Sequence, residues 1–318
     1  MTNKLKYAIG IDLGGTYIKL GIVTDSGKIV KKVVVDTMAQ KGPDVIIAQI
    51  KKGIKELLDG NKLKIHAIGV GCPGVISTKR GTVENPPNLP GWDRVNLVKI
   101  LEKATGKKVY IENDANAAAI GEYMFGAGKK YNSFVMITLG TGVGGGIILK
   151  RKIYRGEFGA AGEIGHITID YKGPKCNCGS YGCIETYIGN HYLVDRIKKE
   201  LSGRKSIIKK LVHNDLTKLT PKTICEAAKA GDSFAQEVVK EMGVYLGAAL
   251  ASISNVLDIG IFIIGGGVSG FGKPLFDAIE ENARARVLTP LRKRIKVIHA
   301  KLKNDAGIKG ASALVFYK

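Results

Sequence analysis

Residues 6–23 read KYAIGIDLGGTYIKLGIV, an apolar run, the turn Asp12-Leu13-Gly14-Gly15-Thr16, and a second apolar run from Tyr17 to Val23. Alternating apolar residues on both sides of a glycine turn predict two strands joined end to end. The simplest reading of such a turn is a plain hairpin. It is also a place where backbone N–H groups converge on a phosphate with no side chain in the way. A P-loop ending in Gly-Lys-Ser/Thr and a strand-turn-helix Gly-x-Gly-x-x-Gly are both missing at this turn.

Working outward, the device recurs twice. Gly140-Thr141-Gly142-Val143-Gly144-Gly145-Gly146 joins predicted strands at 134–139 and 144–149, and Gly265-Gly266-Gly267 closes a predicted buried strand at 259–264. Residues 140–145 match Gly-x-Gly-x-x-Gly literally, but a setting between two strands is wrong for a dinucleotide site. Helices are predicted from Pro43 to Gly60, at 96–105, at 115–125, through the basic stretch 191–212, at 234–257 and at 305–316. Strands are predicted at 65–71 and 108–112, and the Pro/Gly/Asn-rich connection 72–92 reads as functional or as hiding a small hairpin. Two halves that each open on a glycine-turn hairpin point to a duplicated α/β domain.

The chain has 318 residues, 45% of them hydrophobic, and 49 Lys plus Arg against 28 Asp plus Glu leave a net charge of +21. That composition excludes a disordered chain and a small disulfide scaffold. The charge favours polyanionic partners such as nucleotides, polyphosphate, nucleic acid or acidic membrane without choosing among them. Asp12 interrupts the first apolar stretch before a signal-peptide core can form, and no apolar run reaches about 18 residues, so a cytoplasmic protein with no membrane span is expected. Three of five cysteines (Cys176, Cys178 and Cys183) fall within eight positions, which suggests metal rather than disulfides in such a compartment. Cys72 and Cys225 stand apart and read as small buried residues.

The three glycine turns, in this order, resemble the phosphate and adenosine segments of the actin, Hsp70 and hexokinase superfamily. Within it, ENDANAAAIGE (112–122), GTGVGGGI (140–147), AGEIGH (161–166) and CNCGSYGCIE (176–185) resemble the ROK family of bacterial sugar kinases and repressors, and most of all its glucokinases. The resemblance implies an α/β protein of two actin-like (ribonuclease H-like) domains with a hinged active-site cleft. A small domain of 1–112 plus 303–318 and a large domain of 113–302 carrying a zinc loop are expected. It implies transfer of phosphate from Mg²⁺-bound ATP to the 6-hydroxyl of D-glucose. Nucleotide contacts are expected at Asp12, Gly14, Gly15, Thr16, Lys19, Gly140, Thr141, Gly142, Gly144, Gly265, Gly266 and Gly267. Homodimers or homotetramers are usual in the family.

Phosphoryl transfer to a sugar needs a carboxylate within hydrogen-bond reach of the attacking hydroxyl. Asp114 sits where a helix begins, a position that equally suits an N-cap; the resemblance makes it the catalytic base. By the same resemblance Asn88, Asn113, Asp114, Glu163, His166 and Glu185 bind the sugar, although Asn88 also reads as a turn residue between prolines. Glu112, Glu122 and Glu157 read as surface or capping carboxylates without a role. His166, Cys176, Cys178 and Cys183 supply one imidazole and three thiolates, the ligand count of a closed structural Zn²⁺ site. Other hexoses (N-acetylmannosamine, N-acetylglucosamine, mannose or fructose) and polyphosphate as donor stay open. A DNA-binding ROK regulator is disfavoured, since its helix-turn-helix would precede Asp12, and no specific nucleic-acid partner is expected.

Overall fold

The computed structural model describes residues 6–86 and 89–317. From the N-terminus come strands β1 (Tyr7–Leu13), β2 (Tyr17–Thr24) and β3 (Ile29–Asp36), helix α1 (Pro43–Leu58), β4 (Ile65–Cys72), β5 (Val75–Ser77), β6 (Thr82–Glu84), β7 (Arg94–Val95), α2 (Leu97–Thr105), β8 (Val109–Asn113) and α3 (Asp114–Phe125). Then follow β9 (Phe134–Leu139), β10 (Val143–Leu149), β11 (Lys152–Tyr154), α4 (Glu185–Ile188), α5 (Asn190–Glu200), α6 (Ile208–Leu211), α7 (Pro221–Lys229) and α8 (Ser233–Leu257). The chain ends with β12 (Ile261–Gly265), α9 (Lys273–Arg286), β13 (Lys296–His299) and α10 (Ala306–Phe316).

Two α/β units result. The first comprises residues Met1–Asn132, Gly146–Gly162 and Lys301–Lys318, the second Ser133–Gly145 and Glu163–Ala300. In the first, a sheet of order β3-β2-β1-β4-β8 forms with β1 antiparallel to β2 and parallel to β4, and β4 parallel to β8. Helix α1 starts on Pro43, whose missing N–H costs nothing at that position, and buries Ile46, Ile50, Ile54 and Leu57 at helical spacing. Its Gly53 lies directly over the Leu20 side chain of β2. Five strands run β11-β10-β9-β12-β13 in the second sheet, where β12 is parallel to both β9 and β13 and buries Phe262, Ile263 and Ile264.

The connection after Cys72 contains the small hairpin β5–β6, one of the two readings its sequence allows. Three other expectations change. The basic stretch 191–212 breaks after Glu200 into α5 and the short α6, and the buried strand begins at Ile261 rather than 259. Helix α3 and residues 146–162 belong to the first unit, whereas the sequence predicts the boundary at Asn113. The cause is close helix packing: a Cβ on Gly310 of α10 would collide with the Ala117 carbonyl oxygen, and one on Gly121 would lie 2.8 Å from Gly310 Cα. Gly310→Ala therefore puts a methyl against backbone that cannot yield. A loss of about 1–3 kcal/mol is expected, the usual cost of overpacking, read as a lower urea midpoint.

Candidate active site

In the first unit the parallel strands β1, β4 and β8 end on one edge of the sheet, with Asp12 opposite Gly71 and Cys72 opposite Asn113. That edge brings Asp12 and Asp114 near one another. Both carboxylates, with Glu112, add to burial in pushing the fully buried Cys72 thiol far above its ordinary range. Asp12 lies against the Cα of Gly307 in the first turn of α10, where any side chain would strike its carboxylate. Burial raises Asp12 above the usual carboxylate range, opposed by Lys19, whose Nζ is 3.8 Å from Oδ2, and by Lys32. A raised folded-state value means that ionising Asp12 costs stability, recovered as pH falls through that value. A cation at this carboxylate would favour the ionised form.

The first glycine turn spends one donor and one acceptor on the protein itself. Gly14 N–H donates to the Tyr17 carbonyl at 3.1 Å, and Thr37 Oγ1 donates to the Gly14 carbonyl at 2.6 Å. Thr16 is exposed beside the half-buried Gly15. Lys19, expected to reach toward phosphate, is turned to Asp12.

At the next strand end Asn113, rather than Asp114, caps α3. Its Oδ1 accepts from Ala115 N–H at 3.0 Å and Asn116 N–H at 3.1 Å, and its Nδ2 donates to the Gly74 carbonyl. Asp114 is the first helical residue, exposed, with Oδ1 accepting from Ala115 N–H at 2.8 Å. The helix N-terminus favours the ionised carboxylate there. Glu112 and Glu122, read from sequence as surface or capping groups, are instead 2% and 0% exposed. Glu122 accepts from Ala127 and Leu302 N–H, fastening the end of α3 to the segment that leads into α10. Glu157 is exposed as expected.

The second unit assembles a different set. Glu185, at the start of α4, docks onto the second glycine turn, where its Oε2 accepts from Val143 N–H at 2.8 Å. A side chain on Gly142 would collide with that oxygen. Gly165 fits against the Val143 carbonyl, so Glu163 and His166, which flank it, stand exposed beside the start of β10. Gly165 and Glu185 therefore both meet Val143, with the exposed His166 next to Gly165, the exposed Glu163 two residues before it, and the exposed Thr141 and half-buried Gly144 in the turn itself. Two glycines here answer to no packing demand: a Cβ on Gly140 or on Gly267 would meet nothing within 4 Å. Gly265 and Gly266 do answer to one. Gly266 has φ +89, and a Cβ on it would strike the Leu139 carbonyl.

His166, Cys176, Cys178 and Cys183 place one ligand atom each within 4.8 Å of all the others. Cys176 Sγ is 3.7 Å from His166 Nδ1, and Cys178 Sγ is 3.7 Å from Cys183 Sγ. Zinc–sulfur bonds of about 2.3 Å in a tetrahedron require S···S edges of about 3.8 Å, so the donor set fits a tetrahedral Zn²⁺. Two left-handed glycines shape the loop, Gly179 (φ +94) and Gly182 (φ +61), the latter with no room for a Cβ against Asp170. Burial pushes the Cys183 thiol up to about 12, whereas the Ser180 backbone lowers Cys178. Since Nδ1 of His166 faces sulfur, Nε2 is its remaining ring nitrogen.

Asn88 lies outside the described residues. Cys72 and Cys225 are buried, and among the described residues no helix is long and apolar enough to cross a membrane.

Residues 8–318 match the sequence profile of the ROK family. The glucokinase of Thermotoga maritima is 38% identical over 315 residues, covering 98% of each chain. A ROK family glucokinase from Streptomyces griseus in complex with glucose and AMPPNP superposes with a TM-score of 0.85 at 36% identity, over 97% of this chain and 98% of its own. A ROK family transcriptional regulator, a homologue of the E. coli MLC protein, superposes with a TM-score of 0.90 at 26% identity, over 100% of this chain and 79% of its own.

Proposed function

The chain belongs to the ROK family, and on that premise we propose that it is an ATP-dependent glucokinase that phosphorylates the 6-hydroxyl of D-glucose. Likeness to glucokinases over 98% of the chain supports this reading. The observation that carries it is the exposed Asp114 at the start of α3, on the strand edge that also presents Asp12.

Asp114 accepts the proton of the 6-hydroxyl as that oxygen bonds to phosphorus, leaving a nucleophile without a free alkoxide. Asp12 would hold the Mg²⁺ that accompanies ATP, which would neutralise phosphate charge; a cation there would offset the burial that raises this carboxylate. Asn113 keeps one Nδ2 hydrogen for a sugar oxygen after capping α3. Glu163, His166 and Glu185 orient the sugar, with Nε2 of His166 and Oε1 of Glu185 as the groups left over from their structural bonds. His166, Cys176, Cys178 and Cys183 would hold Zn²⁺, which would brace the loop that leads to Glu185. Asn88 completes the proposed sugar contacts.

Phosphate donors come from Gly15, Thr16 and the turn residues Thr141, Gly142 and Gly144, with Gly140 shaping that turn through its N–H on the Gly142 carbonyl at 2.9 Å, while Gly267 lets the nucleotide approach bare backbone. Gly267→Ala is expected to leave the melting temperature unchanged and raise KM for ATP several-fold. Gly266→Ala should lower the melting temperature, because its φ and the Leu139 carbonyl forbid a side chain.

The likeness to a transcriptional regulator makes DNA binding a second reading; this chain covers 79% of that regulator against 98% of the S. griseus kinase. Measuring kcat/KM with ATP and glucose, N-acetylmannosamine, N-acetylglucosamine, mannose and fructose, then with polyphosphate as donor, tests the assignment. Glucose with ATP is expected to lead. Another sugar ahead by tenfold, about 1.4 kcal/mol of transition-state preference, would displace glucose. A specific band shift on DNA without kinase turnover would displace the enzyme.

A further inference from the structure

Glu112 is a nearly inaccessible carboxylate in the strand that leads into α3, and it has no place among the groups assigned to substrate. A buried charge is tolerated only when it is paired and hydrogen-bonded. Glu112 meets both conditions. Its Oε2 accepts from Arg155 Nε at 2.8 Å, and its Oε1 accepts from Asn113 N–H at 3.1 Å and Asn116 Nδ2 at 3.2 Å. Two of these donors belong to the turn that contains Asp114. Asn113 is the cap of that turn, and Asn116 gives its own N–H to the cap. Asn116 is 2% exposed and its Oδ1 has no partner, so the bond to Glu112 is what holds its side chain. Arg155, just past β11 and 43 residues away in sequence, is half-exposed and supplies the countercharge.

We propose that Glu112 and Arg155 form a positioning pair for the reaction, fixing the first turn of α3 so that the Asp114 carboxylate is held at the sugar hydroxyl. The inference rests on Asp114 being the base. It assigns the pair no contact with substrate. In Glu112→Gln the amide still accepts from Asn113 and Asn116 but turns a donor toward Arg155 Nε–H, leaving two donors face to face. Arg155→Gln keeps the carboxylate and both of its bonds to the turn, but removes the countercharge. In the double variant the amide introduced at position 155 can turn its carbonyl oxygen to accept from the amide at position 112, rebuilding the network without charge.

The experiment measures kcat and both KM values for Glu112→Gln, Arg155→Gln, the double variant and Asp114→Asn, with circular dichroism on each. Since small misplacement of a reacting group is costly, each single variant is expected to lose about tenfold in kcat with KM for ATP within about twofold. The double variant should return to within about threefold of the parent, a recovery characteristic of a coupled pair. Single variants with parental kcat, or a double variant no faster than the singles, would overturn the proposal. Should Glu112→Gln fail to fold, Arg155→Gln and the double variant decide. A slow Asp114→Asn beside a normal Arg155→Gln and Glu112→Gln sinks only the positioning role. A normal Asp114→Asn sinks the base assignment itself.

Discussion

Asp114→Asn is expected to lower kcat by roughly 10² to 10⁴, the range for loss of a positioned general base, while the fold and the affinity for glucose should persist. The fold should persist because the cap of α3 is Asn113, with Oδ1 on two N–H groups, so the helix start does not depend on the Asp114 carboxylate. An asparagine oxygen can also replace Asp114 Oδ1 on the Ala115 N–H. What the amide cannot do is take the hydroxyl proton. Steady-state kinetics with calorimetric titration of glucose separates the two contributions. A variant within about threefold of the parental kcat would remove Asp114 from the chemistry.

Cys183→Ser, or prolonged chelation, is expected to abolish activity and lower the melting temperature by roughly 10 °C or more, since a structural zinc site contributes folding free energy directly. Between His166 and Glu185 the loop forms no helix or named strand: two isolated bridges, Thr168 with Cys183 and Lys175 with Tyr181, and a few turn hydrogen bonds such as Cys176 N–H to the Ser180 carbonyl tie it together. Elemental analysis should return one zinc per chain. Cys183, held up to about 12 by burial in the absence of a cation, must lose its proton on metal binding, so zinc affinity should rise with pH. Active, pure protein free of zinc would contradict the assignment.

The sequence carries the local part of this architecture. Glycine turns, strand alternation and the helix around Ile46, Ile50 and Ile54 are written within a few residues of one another, and the cysteine spacing suffices to find the four ligands that converge. What stays hidden depends on residues far apart in the chain. The sequence misplaces the domain boundary because α3 is held by Gly310, in the last helix, and no pattern within 112–125 announces that partner. Glu112 and Glu122 look like ordinary surface acids until Arg155 and the Leu302 N–H arrive, 43 and 180 residues away. The docking of Glu185 on Val143 N–H is of the same kind, 42 residues apart. The exclusion of any side chain at Gly142 is its only trace, and one glycine among several in that turn gives no direction.

The most direct measurement is a phosphorus NMR spectrum of the products formed from ATP and D-glucose by the purified protein with Mg²⁺. ADP and the monoester resonance of glucose 6-phosphate are expected in equal amounts, growing together, with almost none of either from Asp114→Asn. ADP with inorganic phosphate alone, a 1-phosphate in place of the 6-phosphate, or no turnover of glucose at all would contradict the assignment of a glucokinase with Asp114 as its base.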